Sequence, residues 1–148
     1  MIFFEDIEVG ARDSFGAYPV TREEVIQFAT IYDPQPFHLD DAAAAKTHFG
    51  RLSASGWHTC GMVMRMIVDN MTAHSFTSLG SPGIDELRWL RPVYPGDTLR
   101  CESEVLSKSP SRSRPEMGSV RNALRVVNQD DKLVMTYTSI ALVRTRGS

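Results

Sequence analysis

Residues 57–73 read WHTCGMVMRMIVDNMTA, a run whose apolar side chains would cover nearly every side of an α-helix. A helix with so thin a polar face is normally enclosed by the rest of its fold. The run also contains polar residues such as Arg65 and Asp69, and it falls short of the ~20 clean apolar residues that a membrane span needs. We therefore predict a long central helix, from Trp57 to about Ala73, inside a soluble protein.

After residue 83 the hydrophobic period changes from the 3.6 of a helix to the 2 of a strand. Four segments follow this pattern: Ile84–Arg91, Leu99–Val105, Val120–Val126 and Leu133–Val143. Each has a polar face, as expected of an antiparallel sheet with one buried side. A short strand or arm precedes the helices. The chain is thus predicted to be an α+β protein, with a curved antiparallel sheet wrapped around the central helix.

The first helix has a clear start signal. Thr21 and Glu24 fit a capping box, in which the Thr21 side chain caps the first turn and Glu24 reaches back to the start of the helix. Apolar residues then recur at helical spacing as far as Tyr32. The pattern predicts a helix over Arg22–Tyr32.

A stiff connector follows this helix. Pro34 and Pro36 each disfavour helix in the residue before them, so Asp33–Phe37 is predicted to be extended. Asp40 then has the character of a helix cap. It predicts a short alanine-rich helix from Asp41 to about Thr47, followed by a loop of small residues.

Composition excludes several classes of protein. The 148 residues include 16 Lys and Arg against 18 Asp and Glu, a net charge of −2, and 42% are hydrophobic. These values are typical of one globular domain, here residues 1–148, and the balanced charge disfavours nucleic acid as a partner. Two cysteines are too few for a disulfide scaffold, and the N-terminus lacks the features of a signal peptide. We expect a cytoplasmic protein with no membrane partner.

The connector brings together an acid and an imidazole, Asp33 and His38. Proline pre-orders this backbone, so less entropy is lost in fixing the separation of the two side chains. A carboxylate and a histidine that converge on one water can activate it, and one of them can return a proton to a substrate. Neighbouring apolar residues, Tyr32 and Phe37 among them, would strengthen the pair by lowering the local dielectric. The spacing alone also fits a purely structural role for both residues.

Two motifs carry a family resemblance. Residues 33–40, Asp-Pro-Gln-Pro-Phe-His-Leu-Asp, resemble the hydratase motif Asp-x-Asn-Pro-x-His-Leu-Asp of the MaoC-like dehydratases, with Gln35 where asparagine is usual. Residues 91–99, Arg-Pro-Val-Tyr-Pro-Gly-Asp-Thr-Leu, resemble the Pro-Val-x-x-Gly-Asp turn of that family. The resemblance implies the hotdog fold and the hydration of a trans-2-enoyl thioester to an (R)-3-hydroxyacyl thioester, or the reverse. It also implies a homodimer or larger homo-oligomer, with acyl-coenzyme A as substrate and no separate cofactor.

The matching positions imply three catalytic residues. Asp33 and His38 would act as a pair through one water, and the backbone N–H of Gly56 would stabilise the developing enolate. A helix that begins at this glycine would add a favourable dipole. Gly56 also fits a plain helix start.

The chain departs from the family pattern near this glycine. Ser55 stands where many members have histidine, and Met64 stands where some have a serine associated with the active site. Both changes affect the shape and side-chain support of the pocket more than the backbone donor. We predict that Ser55, Trp57 and Phe37 contact the substrate.

The remaining charged and titratable groups have weaker assignments. Arg112 and Arg114 lie in a Ser/Pro/Arg-rich segment, Ser107–Pro115, which could bind coenzyme A phosphates but could equally be a solvated hairpin loop. No histidines have metal-ligand spacing, so no metal is expected. His58 is expected to pack or to make a structural hydrogen bond. The other two histidines, His48 and His74, are expected on the surface or in loops.

Two other functions stay open. A hotdog thioesterase normally draws its acid from the central helix, where Asp69 is the only carboxylate and lies far along. A non-catalytic hotdog domain that binds an acyl group or assembles with a partner would fit the changes at Gln35 and Met64. Such a scaffold would have no need of both Asp33 and His38.

Overall fold

The computed structural model describes residues 1–147. The strands are β1 (Arg12–Pro19), β2 (Gly83–Trp89), β3 (Thr98–Pro110), β4 (Met117–Val127) and β5 (Leu133–Arg144). The α-helices are α1 (Arg22–Tyr32), α2 (Asp41–Ala44) and α3 (Gly56–Ala73), with short 3-10 turns at Phe4–Asp6 and Pro36–His38. All strand pairs are antiparallel, in the order β1-β3-β4-β5-β2, so β1 and β2 are the two edges of the sheet.

The sheet packs against one face of α3, which confirms the predicted α+β class. Met62, Val63 and Met66 point from the helix into the core and are at most 5% exposed. They meet the inward-facing residues of the three long strands: Leu99, Cys101, Leu124, Val126, Val134, Met135 and Tyr137. Full burial of a side chain of this size contributes about 1.5–3 kcal/mol, so this contact is the main source of stability.

A bulge in β1 allows α3 to lie close to the sheet. The register of β1 on β3 shifts between Phe15 and Tyr18, and Gly16 within the shift has φ +88°. A Cβ at Gly16 would overlap the side chain of Met66. Glycine is therefore needed for both the left-handed backbone and the close approach of the helix.

The prediction that α3 is enclosed on all sides is wrong for the single chain. Trp57, Met64 and Val68 lie along the side of α3 that the core does not cover and are 41–61% exposed. The Trp57 ring contacts the ring of Trp89 on edge strand β2, with centroids 5.2 Å apart. The exposed apolar residues of α3 and of the β2 edge, here named the apolar stripe, are Trp57, Met64, Val68, Ile84, Trp89 and Leu90.

The structure confirms the predicted Thr21 cap of α1. Glu24, however, does not make the second hydrogen bond of the predicted capping box. The Thr21 hydroxyl accepts a hydrogen bond from the Glu24 N–H at 3.2 Å, and the helix spans the predicted residues. The Glu24 carboxylate does not reach back to the cap. It accepts a hydrogen bond from the Tyr18 hydroxyl of β1 instead, because the strand passes beside the first turn of the helix.

The segment after α1 is more coiled than predicted. It is extended only to Gln35, and a 3-10 turn then carries His38. Asp40 caps α2 as predicted, since its carboxylate accepts from the Ala43 N–H at 3.0 Å. However, α2 ends at Ala44 rather than near Thr47, where single turns replace the helix.

The β3–β4 hairpin is longer than the sequence indicated. β3 continues to Pro110, which pairs with Gly118 of β4, so residues 111–116 alone form the turn. The Ser107–Pro115 segment is therefore half strand and not a loop throughout. None of the helices in residues 1–147 combines the length and the apolar character needed to cross a membrane.

Candidate active site

The end of α1 and the following 3-10 turn bring Asp33 and His38 together. Asp33 ends the helix, with its N–H bonded to the Ala29 carbonyl at 2.9 Å. The turn reverses the chain, so the His38 side chain comes back toward the carboxylate. The His38 Nε2 lies 3.5 Å from an oxygen of Asp33, and the side chains are 6% and 19% exposed.

A backbone carbonyl orients the His38 ring. The Nδ1 atom lies 2.7 Å from the Ser53 carbonyl oxygen. A carbonyl can only accept, so Nδ1 carries a hydrogen and donates it. In the neutral imidazole, Nε2 then presents a lone pair toward Asp33. The rings of Phe37 and Phe49 pack on the imidazole at centroid distances of 4.6 and 5.9 Å and hold it in place.

Asp33 is held as a carboxylate. Burial raises the pKa of Asp33, but hydrogen bonds from Gln35 and Ser55 and the adjacent His38 outweigh it, so the pKa lies below its ordinary value of 3.8. The Gln35 amide donates to one carboxylate oxygen at 2.7 Å. The other oxygen is the one that faces His38. When His38 is neutral, its Nε2 lone pair and the Asp33 carboxylate are both acceptors, 3.5 Å apart.

Gly56 begins α3 beside this pair. Its N–H makes no backbone hydrogen bond within residues 1–147, as is usual for the first turn of a helix. Its carbonyl accepts from the Trp89 indole N–H at 3.0 Å. A Cβ on Gly56 would lie 2.5 Å from Trp89 Cε2, so only glycine fits against this ring.

These groups share one cleft of about 410 Å³. Its walls include the predicted site residues Asp33, His38, Ser55, Gly56 and Trp57. The other lining residues are His48, Phe49, Ala54, Thr59, Trp89, Leu90, Arg91, Pro92 and Val93. An open apolar cleft that contains a few convergent polar groups and a free backbone donor is typical of a substrate site.

Comparison with known proteins shows the family of the chain. The family model described as MaoC like domain matches residues 9–128. The chain belongs to the MaoC-like family. The matched region extends from β1 through β4 and includes every residue that lines the cleft.

Three relatives show how close the likeness is. The MaoC-like dehydratase structure from Rhodospirillum rubrum is 37% identical, with a TM-score of 0.87 over 99% of both chains. An R-hydratase from Pseudomonas aeruginosa is 29% identical, with a TM-score of 0.71 over 98% of this chain and 87% of that one. A 3-hydroxybutyryl-CoA dehydratase from Methylorubrum extorquens is 30% identical over 122 residues, which is 79% of this chain and 72% of the relative. The sheet around α3 is therefore the hotdog fold that the motifs implied.

Some predicted MaoC-like site residues lie outside the cleft. Phe37 packs behind His38 and on Phe49, so it supports the wall without lining it. Tyr32 is 72% exposed and adds no apolar cover to the pair. Arg112 and Arg114 lie in the turn between β3 and β4, away from the cleft of the single chain. Their assignment to coenzyme phosphates stays a prediction.

Sequence reasoning missed one whole wall of the MaoC-like cleft. Trp89, Leu90 and Arg91 line it, because the Ala54 N–H bonds to the Val93 carbonyl at 2.8 Å and draws the two segments together. The sequence did contain a sign of this wall, because the three residues directly precede the Pro-Val-x-x-Gly-Asp turn of the family at residues 92–97. His48, expected on the surface, is exposed but also forms part of the cleft. Met64 is half exposed and does not line it.

No group of three His, Cys, Asp or Glu side chains within residues 1–147 is placed to hold a metal ion. His58 packs as expected. Its ring stacks on Phe28, with centroids 4.8 Å apart, and its Nε2 lies 3.6 Å from the Glu24 carboxylate. The buried Nδ1 has no hydrogen-bond partner among the described residues, 1–147.

His58 predicts a loss of stability in acid. Burial lowers the pKa of His58 below 6.5, against the opposing effect of Glu24. The unfolded chain therefore binds a proton that the folded chain excludes, and the free energy of unfolding falls as the pH drops below about 6.5. His58→Leu should flatten this dependence when unfolding is measured by urea titration between pH 7.5 and 5. His74→Leu, which removes an exposed histidine just after the same helix, should leave it unchanged. Equal slopes in all three proteins would contradict the prediction.

Proposed function

We propose that the protein adds water to the double bond of a trans-2-enoyl thioester of coenzyme A, giving an (R)-3-hydroxyacyl thioester, and catalyses the reverse. The observation that carries this proposal is the approach of His38 Nε2 to Asp33 at 3.5 Å in the cleft that also contains Gly56. Membership of the MaoC-like family supports it. The names of relatives, a 3-hydroxybutyryl-CoA dehydratase and an R-hydratase, support the reaction class.

The geometry suits one shared water. Asp33 and the Nε2 of His38 are both acceptors, so a water between them can donate one hydrogen to each. Its oxygen then presents lone pairs to the substrate. As the oxygen attacks C3 of the enoyl group, the pair takes up a water proton and supplies a proton to C2. The same atoms catalyse dehydration when the steps are reversed.

The electrons displaced from the double bond collect on the thioester oxygen as an enolate. Gly56 lines this cleft at the N-terminus of an 18-residue helix, where the dipole favours negative charge. Its N–H, which has no backbone partner within residues 1–147, is the donor proposed to bind the enolate. A donor fixed in the backbone needs no reorganisation as charge develops, so it stabilises the transition state more than the substrate.

The direct test is the loss of enoyl absorbance when the protein meets trans-2-enoyl-CoA esters of rising chain length. Hydration is expected, together with a preferred chain length. Asp33→Asn should lower its rate by about 10²–10⁴-fold. Asp40→Asn is the matched control, because this exposed carboxylate of the same motif only caps α2 and asparagine keeps that cap. Absence of hydration across the panel would contradict the proposal, and release of free thiol would indicate a thioesterase.

The structure gives no support to the thioesterase alternative. Asp69, the carboxylate of the central helix that the alternative requires, lies on the exposed side of α3 and pairs with Arg65 at 3.2 Å. It does not line the cleft.

Gln35 stands where the family has asparagine, and its amide takes part in holding Asp33. Gln35→Leu removes a hydrogen bond that lowers the pKa of Asp33, so the acid limb of the pH profile of kcat/KM should move to higher pH. The plateau should also fall about tenfold, the usual effect of one hydrogen bond to a charged group. Gln35→Asn keeps a carboxamide and should retain the wild-type limb. If the acid limb of Gln35→Leu lies at the same pH as that of the wild type, Gln35 does not lower the pKa of Asp33 and the prediction is wrong.

We also propose that the chain forms a homodimer through the apolar stripe. The stripe joins an exposed helix face to an unpaired edge strand, two features that association covers. Light scattering should give about twice the 16.5 kDa of one chain. Met64→Lys, in the middle of the stripe, should shift the mass to that of a monomer. Ala73→Lys, exposed on the other side of the same helix, should not. A monomeric wild type would contradict the proposal.

A further inference from the structure

The cleft has a basic rim, which consists of His48, Arg51 and Arg91. His48 and Arg91 line the cleft itself. Arg51 lies beside it, with its guanidinium 4.0 Å above the ring of Tyr94. The Tyr94 hydroxyl donates to the Phe49 carbonyl at 2.6 Å, which fixes this ring next to a lining residue. The proposed hydration mechanism uses none of the three rim side chains.

The rim side chains lack the carboxylate partners that most of the other arginines have. Within residues 1–147 no rim residue forms an ion pair with a carboxylate, whereas most other arginines do. Asp33 is the one acid among the lining residues, and Gln35, Ser55 and His38 already bind it. Arg51 and Arg91 therefore carry positive charge at the cleft that no carboxylate within residues 1–147 compensates.

The backbone of Arg91 is anchored at the edge of the cleft. The N–H groups of Leu90 and Arg91 both donate to the Val134 carbonyl, at 2.8 and 3.4 Å. Pro92 follows and restricts the backbone further. An arginine on a fixed backbone can present its planar fork to a carboxylate or a phosphate with little loss of entropy.

We infer that the rim binds an anionic group of the thioester substrate, and that Arg91 takes a carboxylate carried by the acyl group. The inference rests on the proposed function. The phosphates of coenzyme A are separated from the thioester by the whole pantetheine arm, whereas Arg91 lines the same cleft of about 410 Å³ as Asp33 and His38. The acyl group, and not the phosphates, is therefore the part of the substrate expected in the cleft that Arg91 lines.

The test compares two trans-2-enoyl thioesters of equal carbon count, one neutral and one ending in a carboxylate, each as a coenzyme A and as a pantetheine ester. Arg91→Gln should lower kcat/KM for both carboxylated esters by about 10- to 100-fold, the usual range for a charge-assisted hydrogen bond. The neutral esters should change by less than roughly threefold, and Arg91→Lys should restore part of the loss. The matched control is Arg88→Gln. Arg88 is an exposed arginine of β2 that has no carboxylate partner in the described chain and does not line the cleft.

Each other result has a defined meaning. A loss confined to coenzyme A esters, whatever their acyl group, would show that the rim binds a phosphate and would overturn the assignment to a carboxylate. An Arg91→Gln effect no larger than that of Arg88→Gln would overturn the inference. Binding is measured separately by calorimetry in the Asp33→Asn background, with saturated thioesters that cannot be hydrated. If these bind without preference for the carboxylated ester, the inference fails while the proposed function stands. If no thioester binds, both fail.

Discussion

Asp33→Asn is expected to lower kcat/KM for enoyl thioesters by about 10²–10⁴-fold, the range that one positioned acid or base contributes. Asparagine has nearly the same shape as aspartate, but it carries no charge. It cannot accept a proton from water, and its amide would turn a donor toward the Nε2 lone pair of His38, 3.5 Å away. The free energy of unfolding should change little, which separates a chemical defect from a structural one.

His38→Gln should have an effect of the same size, and the double variant should be little worse than either single variant. Both side chains are proposed to act on one water, so removing either one removes the function of both. Stopped-flow measurement of the enoyl chromophore with all four proteins tests this. Losses that multiply would show that Asp33 and His38 act in separate steps, and the shared water would then be wrong.

The structure around Asp33 and His38 could largely be predicted from the sequence because it depends on local interactions. Thr21 caps α1, Pro34 and Pro36 prevent its continuation, and the five-residue interval to His38 is closed by one 3-10 turn. Each is a short-range effect of a named side chain on its own backbone. The bounds of α1 were for the same reason predicted correctly, and the turn itself was missed because prolines favour both extended and 3-10 backbone.

The wall of the cleft formed by Trp89, Leu90 and Arg91 could not be predicted in this way. Trp89 and Arg91 are more than 30 residues from Gly56 in sequence, and they reach it only because β2 is the edge strand next to β5. That placement depends on sheet order, which alternating hydrophobicity does not encode. The extension of β3 to Pro110 has the same origin, since polar residues 107–110 are held by backbone pairing with β4.

The exposed side of α3 shows a second limit of prediction from the sequence. The apolar residues of the central helix were correctly assigned to a buried environment on the sheet side, but Met64 and Val68 are exposed in the single chain. A sequence pattern records that a side chain is apolar and does not distinguish burial by the same chain from burial by a second copy. In the proposed dimer, the second copy would cover these exposed apolar residues.

Gly56→Ala is the second change expected to have a large effect. The new Cβ would lie 2.5 Å from Trp89 Cε2, so the ring or the start of α3 must move. Movement also breaks the bond from the Trp89 indole to the Gly56 carbonyl. Displacement of the start of α3 would carry with it the N–H proposed to bind the enolate, and kcat should then fall by about 10²–10³-fold, the usual cost of losing one such donor.

A second substitution separates this steric effect from other roles of glycine. Trp89→Leu removes the ring, so in that background Gly56→Ala should change kcat by less than roughly threefold, because the backbone can keep its position. Trp89→Leu alone is the reference, since Trp89 also lines the cleft. The conformation at Gly56 is helical, which alanine adopts readily, so folding should not be impaired.

The outcome of this cycle decides what the glycine is for. Recovery in the double variant would mean that Gly56 is required because Trp89 leaves no room for a Cβ, and that the tryptophan fixes the position of the donor. A full loss in both backgrounds would mean that the substrate itself needs the space above Gly56. An unchanged kcat in a Gly56→Ala variant in which only the Trp89 ring has moved would mean that the donor keeps its place and that the ring is not what fixes it. An unchanged kcat in Gly56→Ala, in a variant whose crystal structure shows the start of α3 displaced, would remove the backbone N–H from the proposed mechanism. The enolate would then need another donor from the cleft, and the hydroxyl of Thr59, which bonds to the Ser55 carbonyl at 3.5 Å, would be the next to replace.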